Sequence, residues 1–267
     1  MGSSVPRGEN RRRHRIGHRA PRTTERTAVP VKEILYKPFL ELPSRDAAGL
    51  PLFSREYKIY AGTIGDEGVH LAKTIEAVRE QLGAEIVVAP QTPDIYRIAE
   101  ERSLRVVAQS VDAPFEGHAT GRISLPTVAA AGAEDVIVND AANRGTLAEV
   151  ERTVPRCADL GLESIVCVDG LEMGRAALAF GLDCFVLEKP DDIATDRPIS
   201  RTTPERVQEF VTVVADENPR TRVLGGGGTS TARDVEQAFE IGGTRPTRRR
   251  RSWRRPTGGD GSPTSPR

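Results

Sequence analysis

A carboxylate at the carboxyl end of a short apolar strand is the residue in this sequence best placed to move a proton. Cys184, Phe185, Val186 and Leu187 form a β-forming run that ends on Glu188, and Lys189-Pro190 stops it by removing a backbone donor and fixing φ. Parallel α/β folds collect catalytic groups at that end of a strand, and the polar stretch 191–196 has the length of a lid loop. On its own, a Glu in this position is also an ordinary solvated strand-end residue. A second stretch with chemical potential is LGGGGTST, residues 224–231, where four glycines between a strand and a helix offer backbone donors to an anion and Ser230 can cap the helix. Its bland alternative is a flexible turn.

The elements that would hold these groups alternate regularly. Strands are expected at 56–60, 85–90, 104–111, 134–140, 164–168, 183–188 and 222–226. Helices are expected at 65–83, 92–103, 126–132, 145–161, 171–180, 203–217 and 230–242. The first helix carries Val69, Leu71, Ile75, Val78 and Leu82 near a 3.6-residue spacing. Seven strand-helix units imply parallel pairing with right-handed crossovers, in either a doubly wound sheet or a (β/α)8 barrel. A doubly wound sheet would favour a glycine fingerprint after its first strand, and EYKIYAGTIG is a poor match. A barrel commonly holds phosphate after its seventh and eighth strands, where the glycines stand.

Composition bounds the rest. The chain has 267 residues, enough for one barrel-sized domain, and its zero net charge hides a split. Residues 1–30 carry eight Arg and two Glu, and residues 244–267 carry eight Arg and one Asp. That leaves 22 of the 38 basic and 35 of the 38 acidic residues in between, a net of −13. Rich in Arg, Pro, Gly, Thr and Ser with few apolar residues, both ends read as solvated disordered extensions flanking a domain at 31–243 that is recognisable from residue 56. Nucleic-acid binding through them has no motif or aromatic support beyond Trp253. Cys157, Cys167 and Cys184 are odd in number and widely spaced, which suggests neither a disulfide framework nor a metal site. Without an apolar run of membrane-spanning length or a secretory pattern, a cytoplasmic protein is expected, and no membrane partner.

Several segments together resemble triosephosphate isomerase, the short archaeal type in particular, over roughly residues 56–242. They are EYKIY, VVAPQTPDIYRIAEE, VVAQSVD, GHATGRI, the VND-x-x-NR stretch, LEKPDDIATDRPIS and LGGGGTSTARDV. The resemblance implies a TIM barrel and interconversion of glyceraldehyde 3-phosphate and dihydroxyacetone phosphate, with a small phosphorylated substrate, no cofactor and a homo-oligomer. Carried over by position, Glu188 looks like the base, Lys58 like the cation near the developing oxyanion, Gly226 and Gly228 like phosphate contacts, and Ile193 like the lid residue over the phosphate. A carboxylate base, a positive charge and phosphate-cradling amides on separate strand ends are what enolisation of a small phosphorylated carbonyl compound requires.

Other positions depart from the family's pattern. Where the family has Asn two residues before its lysine, Glu56 stands. Where it has His-Ser-Glu after the fourth strand, the sequence reads Asp140-Ala141-Ala142. That His is the neutral electrophile in a standard description of the family. Asp140 in its place offers a carboxylate where a donor is needed, and the loss of one such group costs on the order of 10²- to 10⁴-fold in rate. An impaired isomerase is therefore expected, with a non-catalytic binder of phosphorylated ligands as the alternative. The barrel also looks incomplete: after Gly243 the sequence TRPTRRRRSWRRPTGGDGSPTSPR contains nothing fit for a buried eighth strand, so either residues 31–40 supply a substitute or the barrel stays open. The composition changes so abruptly at Gly243-Thr244 that another reading frame of the DNA beyond that codon is expected to encode an apolar strand, a glycine-containing loop and a final helix.

Overall fold

Seven parallel strands follow one another round a cylinder in the order of the sequence, each joined to the next through helical segments. The computed structural model describes residues 39–45, 51–82, 85–113, 118–193 and 195–228, with 233, 234, 237 and 241 beyond them. The parallel strands are β2 (Pro51–Glu56), β3 (Glu85–Ala89), β4 (Arg105–Ala108), β5 (Asp135–Val138), β6 (Glu163–Val168), β7 (Cys184–Leu187) and β8 (Arg222–Gly225). Outside them pack α1 (Gly65–Leu82), α2 (Ile95–Glu101), α3 (Leu125–Ala130), α4 (Leu147–Asp159), α5 (Leu171–Leu178), α6 (Ile199–Thr202) and α7 (Pro204–Glu217). The expected terminal extensions, most of the helix at 230–242, and Ser230 lie outside the described residues.

Of the two outcomes expected for the missing eighth strand, the open barrel is not found: a substitute strand closes it, at 39–45 rather than 31–40. β1 (Phe39–Arg45) runs antiparallel to both neighbours, pairing Phe39 with Ser54 and Leu40 with Phe53 on one side, and Leu40 with Gly225, Glu41 with Leu224 and Leu42 with Val223 on the other. The result is a closed eight-strand barrel in which seven strands are parallel and one is reversed. A second correction concerns the first parallel strand: it is Pro51–Glu56, not residues 56–60, so Glu56 is its last residue and Lys58 lies just beyond its carboxyl end. The register of β2 on β3, with Ser54 opposite Val87 and Glu56 opposite Ala89, fixes that placement.

The pleat sorts side chains into two layers. Val87, Ala89, Val107, Ile137, Ile165, Cys167, Cys184, Val186 and Leu224 fill the barrel interior, one cluster of buried residues. Their neighbours Val88, Val106, Val136, Val166, Phe185 and Val223 face the helices, where they join the larger core. α1 contributes Val69, Ala72 and Ile75 to that layer, whereas Leu82, included in the expected apolar stripe, is 66% exposed. Thirteen residues beyond Val69 is about 220° round the helix, off the buried face. α4 starts on a reciprocal cap: the Glu149 N–H donates to the Thr146 hydroxyl (3.2 Å) and the Thr146 N–H to the Glu149 carboxylate (2.7 Å).

Charged side chains tie together the amino ends of four strands. Arg105 opens β4 and donates to both Asp135 at the start of β5 (Nε to Oδ2, 2.7 Å) and Glu163 at the start of β6 (2.7 Å), and Arg222 at the start of β8 also donates to Glu163. Asp135 is almost wholly buried, so its charge depends on Arg105. Replacing Arg105 with Met is expected to lower stability by about 3 kcal/mol in urea unfolding, the usual cost of stranding a buried charge. A fall of less than about 1 kcal/mol would mean that the network is solvated.

Candidate functional site

Strand parity delivers Glu188 to the mouth of the barrel. Cys184 and Val186 face inward, so the next residue of that parity, Glu188, rises from the interior of β7 at its carboxyl end. It is 2% exposed, its N–H donates to the Val168 carbonyl at 2.9 Å, and its Oε2 has no hydrogen-bond partner among the described residues. Burial, reinforced by the nearby carboxylates of Asp140 and Glu56, pushes the Glu188 carboxyl up to about 7, with Lys58 and Arg144 pulling the other way. A carboxyl poised there accepts and returns a proton near neutral pH.

Lys58 and Glu56 reach the same mouth from β2, and they are paired. Lys58 Nζ donates to Glu56 Oε2 at 2.6 Å. Burial alone would lower the lysine's pKa, but Glu56, Asp140 and Glu188 outweigh it and hold the value above that of an ordinary lysine. An ion pair normally lowers its carboxylate, yet Glu56 is raised: its burial outweighs Lys58, with the negative field of Asp140 adding to the rise.

The backbone ahead of Lys58 is clamped by two glutamines from the VAPQ and VVAQ motifs. Gln91 Nε2 donates to the Tyr57 carbonyl at 2.9 Å, and Gln109 Nε2 donates to that carbonyl and to Ala89 O at 2.9 Å. Tyr57 N closes the arrangement by donating to Ala89 O at 2.9 Å. Sequence reading used both motifs only as family marks. Their amide groups hold the loop that carries the cation.

Asp140 enters from the end of β5 on a constrained turn. Asn139 has φ of 63°, a left-handed conformation that Asn tolerates better than most residues, and its side chain crosses to the neighbouring strand. Asn139 Nδ2 donates to Cys167 O at 2.8 Å, and its Oδ1 accepts from Gly145 N at 3.1 Å. Asp140 is buried, and its Oδ1 accepts from Ala142 N at 2.8 Å, a local turn bond. Asp140, Cys167 and Glu188 thus converge, each offering one atom within 4.8 Å of the others. A cavity of about 510 Å³ opens beside them between the loops after β4 and β5, with Gln109, Asn139, Asp140 and Arg144 in its wall. Arg144 is held by Asp169 at 3.3 Å.

The glycine run and the lid meet on the other side of the mouth. Gly227 and Gly228 have φ of 78° and 72°. A Cβ on Gly228 would stand 2.4 Å from the Arg197 carbonyl carbon, so only glycine lets the lid's base approach so closely. Ile193, expected as a lid residue over the phosphate, packs on Gly227, its Cγ1 3.6 Å from where a Cβ would lie. Gly226, expected as a phosphate contact, donates its N–H to Leu187 O at 2.9 Å and so continues the sheet. Among the described residues, the amides of Gly227 and Gly228 are the ones without a hydrogen bond in this run.

Asp192 anchors the segment between β7 and α7, a role the sequence did not reveal. It is buried, accepts from Thr202 Oγ1 at 2.8 Å, and lies 3.3 Å from both Lys189 Nζ and Arg197 Nε. In sequence it is one of several acids in a polar loop. Only the fold gathers its three partners.

A sequence model described as triosephosphate isomerase matches residues 52–242. Curated relatives with that name include those of Methanosarcina barkeri, 38% identical over 194 residues that span 73% of this chain and 87% of the relative, and Methanocaldococcus jannaschii, 36% identical over 186 residues that span 70% and 85%. The crystal structure of triosephosphate isomerase from Bartonella henselae superposes with a TM-score of 0.51 at 17% identity, covering 62% of this chain and 75% of that one, a likeness of fold. The turn at Asn139 offers a structural test within this site. Asn139→Ala should cost about 2–3 kcal/mol through strain and two lost hydrogen bonds. Asn139→Gly, which keeps the conformation without strain, should cost less in the same denaturant titration, and equal losses would show that the backbone conformation carries none of the penalty.

Proposed function

This chain belongs to the triosephosphate isomerase family, and on that premise we propose that it interconverts glyceraldehyde 3-phosphate and dihydroxyacetone phosphate at an impaired rate. The observation that carries the reading is Glu188: buried, inward-facing and with an unpartnered oxygen at the mouth of the barrel. In this mechanism Glu188 removes a proton from one substrate carbon and returns it to the next. Lys58 offsets the negative charge that grows on the intervening oxygen, and the amides of Gly227 and Gly228, under Ile193, hold the phosphate. The setting that goes with this reading is cytoplasmic glycolysis or gluconeogenesis, in a homo-oligomer.

Two features slow the reaction. Asp140, as a carboxylate, accepts hydrogen bonds and donates none, so it cannot polarise the substrate carbonyl. Lys58 must also divide its charge between the oxyanion and Glu56, 2.6 Å away. The same ion pair favours a second reading, in which the chain binds a phosphorylated ligand through the glycine amides without turning it over.

Isomerase assays in both directions separate the two. Glu188→Gln should remove nearly all activity with helix content unchanged, because an amide cannot act as a base. Activity retained in that variant would put the proton on another residue. Asp140→His combined with Ala142→Glu should raise kcat by at least about tenfold by restoring a donor opposite the base. Wild-type turnover at ordinary isomerase rates would remove the case for impairment, and binding of phosphorylated ligand with no turnover in either protein would leave the second reading.

A further inference from the structure

We propose that the Asp169-Gly170 pair is a site of spontaneous covalent modification, at which the Asp169 side chain cyclises onto the Gly170 nitrogen and reopens as isoaspartate. The pair lies where the loop after β6 enters α5, with Gly170 as the residue before the first turn. Cyclisation needs a side chain that water can reach, a following nitrogen that is unhindered and not already donating, and a way to disperse the charge that forms. The fold supplies all three. The Asp169 side chain is 48% exposed. Gly170 has no Cβ to hinder approach to its nitrogen, and among the described residues its N–H donates no hydrogen bond.

Two guanidinium groups meet the reacting atoms. Arg206 Nη2 donates to the Asp169 carbonyl oxygen at 3.1 Å. That oxygen belongs to the same peptide unit as the Gly170 nitrogen, so the arginine disperses the negative charge the unit gains as its N–H proton leaves. Arg144 Nη2 lies 3.3 Å from Asp169 Oδ2 and stabilises the oxyanion formed when the nitrogen adds to Cγ. In the first step a bond forms between Gly170 N and Asp169 Cγ, a Cγ–Oδ bond breaks, and that oxygen leaves as water with the amide proton and one proton from solvent. In the second, water adds to the Asp169 main-chain carbonyl carbon and the bond from that carbon to nitrogen breaks. The chain then runs through Cβ and Cγ, the α-carboxylate is free, and nothing is oxidised or reduced. The change falls in the wall of a small cavity that Asp169, Gly170 and Arg206 share with Glu188. Asp-Gly also occurs at Asp260-Gly261. The two arginines come to Asp169 only through the fold, from the loop after β5 and from α7.

This inference stands apart from isomerase activity, because its test reads the covalent product. The full chain is incubated at neutral pH and physiological temperature, then digested. Electron-transfer fragmentation distinguishes aspartate from isoaspartate in the peptide that carries residue 169, and a synthetic isoaspartyl form of that peptide calibrates the measurement. Isoaspartate should accumulate at 169 and not at aspartates followed by larger residues. Gly170→Ala is compatible with the fold, since φ of −178° is extended and the added Cβ meets Arg206 Nη2 at 3.4 Å. That variant and Arg206→Met should each slow the accumulation at least about tenfold, the first by hindering the nitrogen and the second by removing the charge. Arg144→Met should slow it in the same direction. A native chain that gains no isoaspartate at 169, or accumulation unchanged in both arginine variants, would overturn the proposal.

Discussion

Everything at the mouth of this barrel depends on sheet closure, because a side chain's direction on a strand is fixed only once its register is fixed. Seven parallel strands would leave β2 and β8 with unpaired edges, free to slip by a residue and turn every inward group outward. β1 removes both edges at once by pairing with Ser54 and Phe53 on one side and with Val223, Leu224 and Gly225 on the other. Glu188 then stands above Val186 and Cys184, and Glu56 above Ser54, as consequences of pleat parity. An antiparallel stave serves for closure as well as a parallel one, since closure needs only that the edge backbone groups be satisfied.

Separation of stabilising and reactive charge follows from the same geometry. At the amino ends of the strands, Arg105, Arg222, Asp135 and Glu163 are mutually paired, and the charges compensate. At the carboxyl ends the balance is left unfinished: Glu56 is matched by Lys58, while Asp140 has only a local backbone donor and Glu188 Oε2 has none among the described residues. Buried acids left in that state are held for a proton, a cation or a substrate.

The sequence made legible what is periodic or local. The strand-helix alternation, the carboxylate at the end of 184–188, the polar loop after it and the glycine run are readable because alternation, a proline stop and clustered glycines leave marks within a few residues. β1 was obscured because FLELPSR has a proline inside it and no neighbour close in sequence that announces a reversed pairing. The first parallel strand was placed too late, since Tyr57 and Ile59 continue the look of a strand while the backbone has already turned toward the clamp of Gln91 and Gln109. That the Gly226 N–H, expected at the phosphate, is taken by the sheet was not legible, because nothing in a run of four glycines says where the sheet ends. Asp192 and Asn139 share one reason for being missed: each acts on residues brought near only by the fold.

The two ends of the mouth prefer ligands of opposite charge, and that asymmetry governs what the site can do. Gly227 and Gly228 present neutral amide donors in left-handed conformations, an arrangement suited to phosphate oxygens. Glu56, Asp140 and Glu188 crowd the other end with carboxylates, and the one lysine among them is already 2.6 Å from an acid. An enediolate forming there would gain less from Lys58 than it would beside an unpaired lysine, because the cation must loosen from Glu56 before it can stabilise a second anion. On the proposed function, phosphate affinity and turnover are therefore separable: the first would rest on backbone amides that the departures at Glu56 and Asp140 do not touch, and the second on a field those two acids have made more negative.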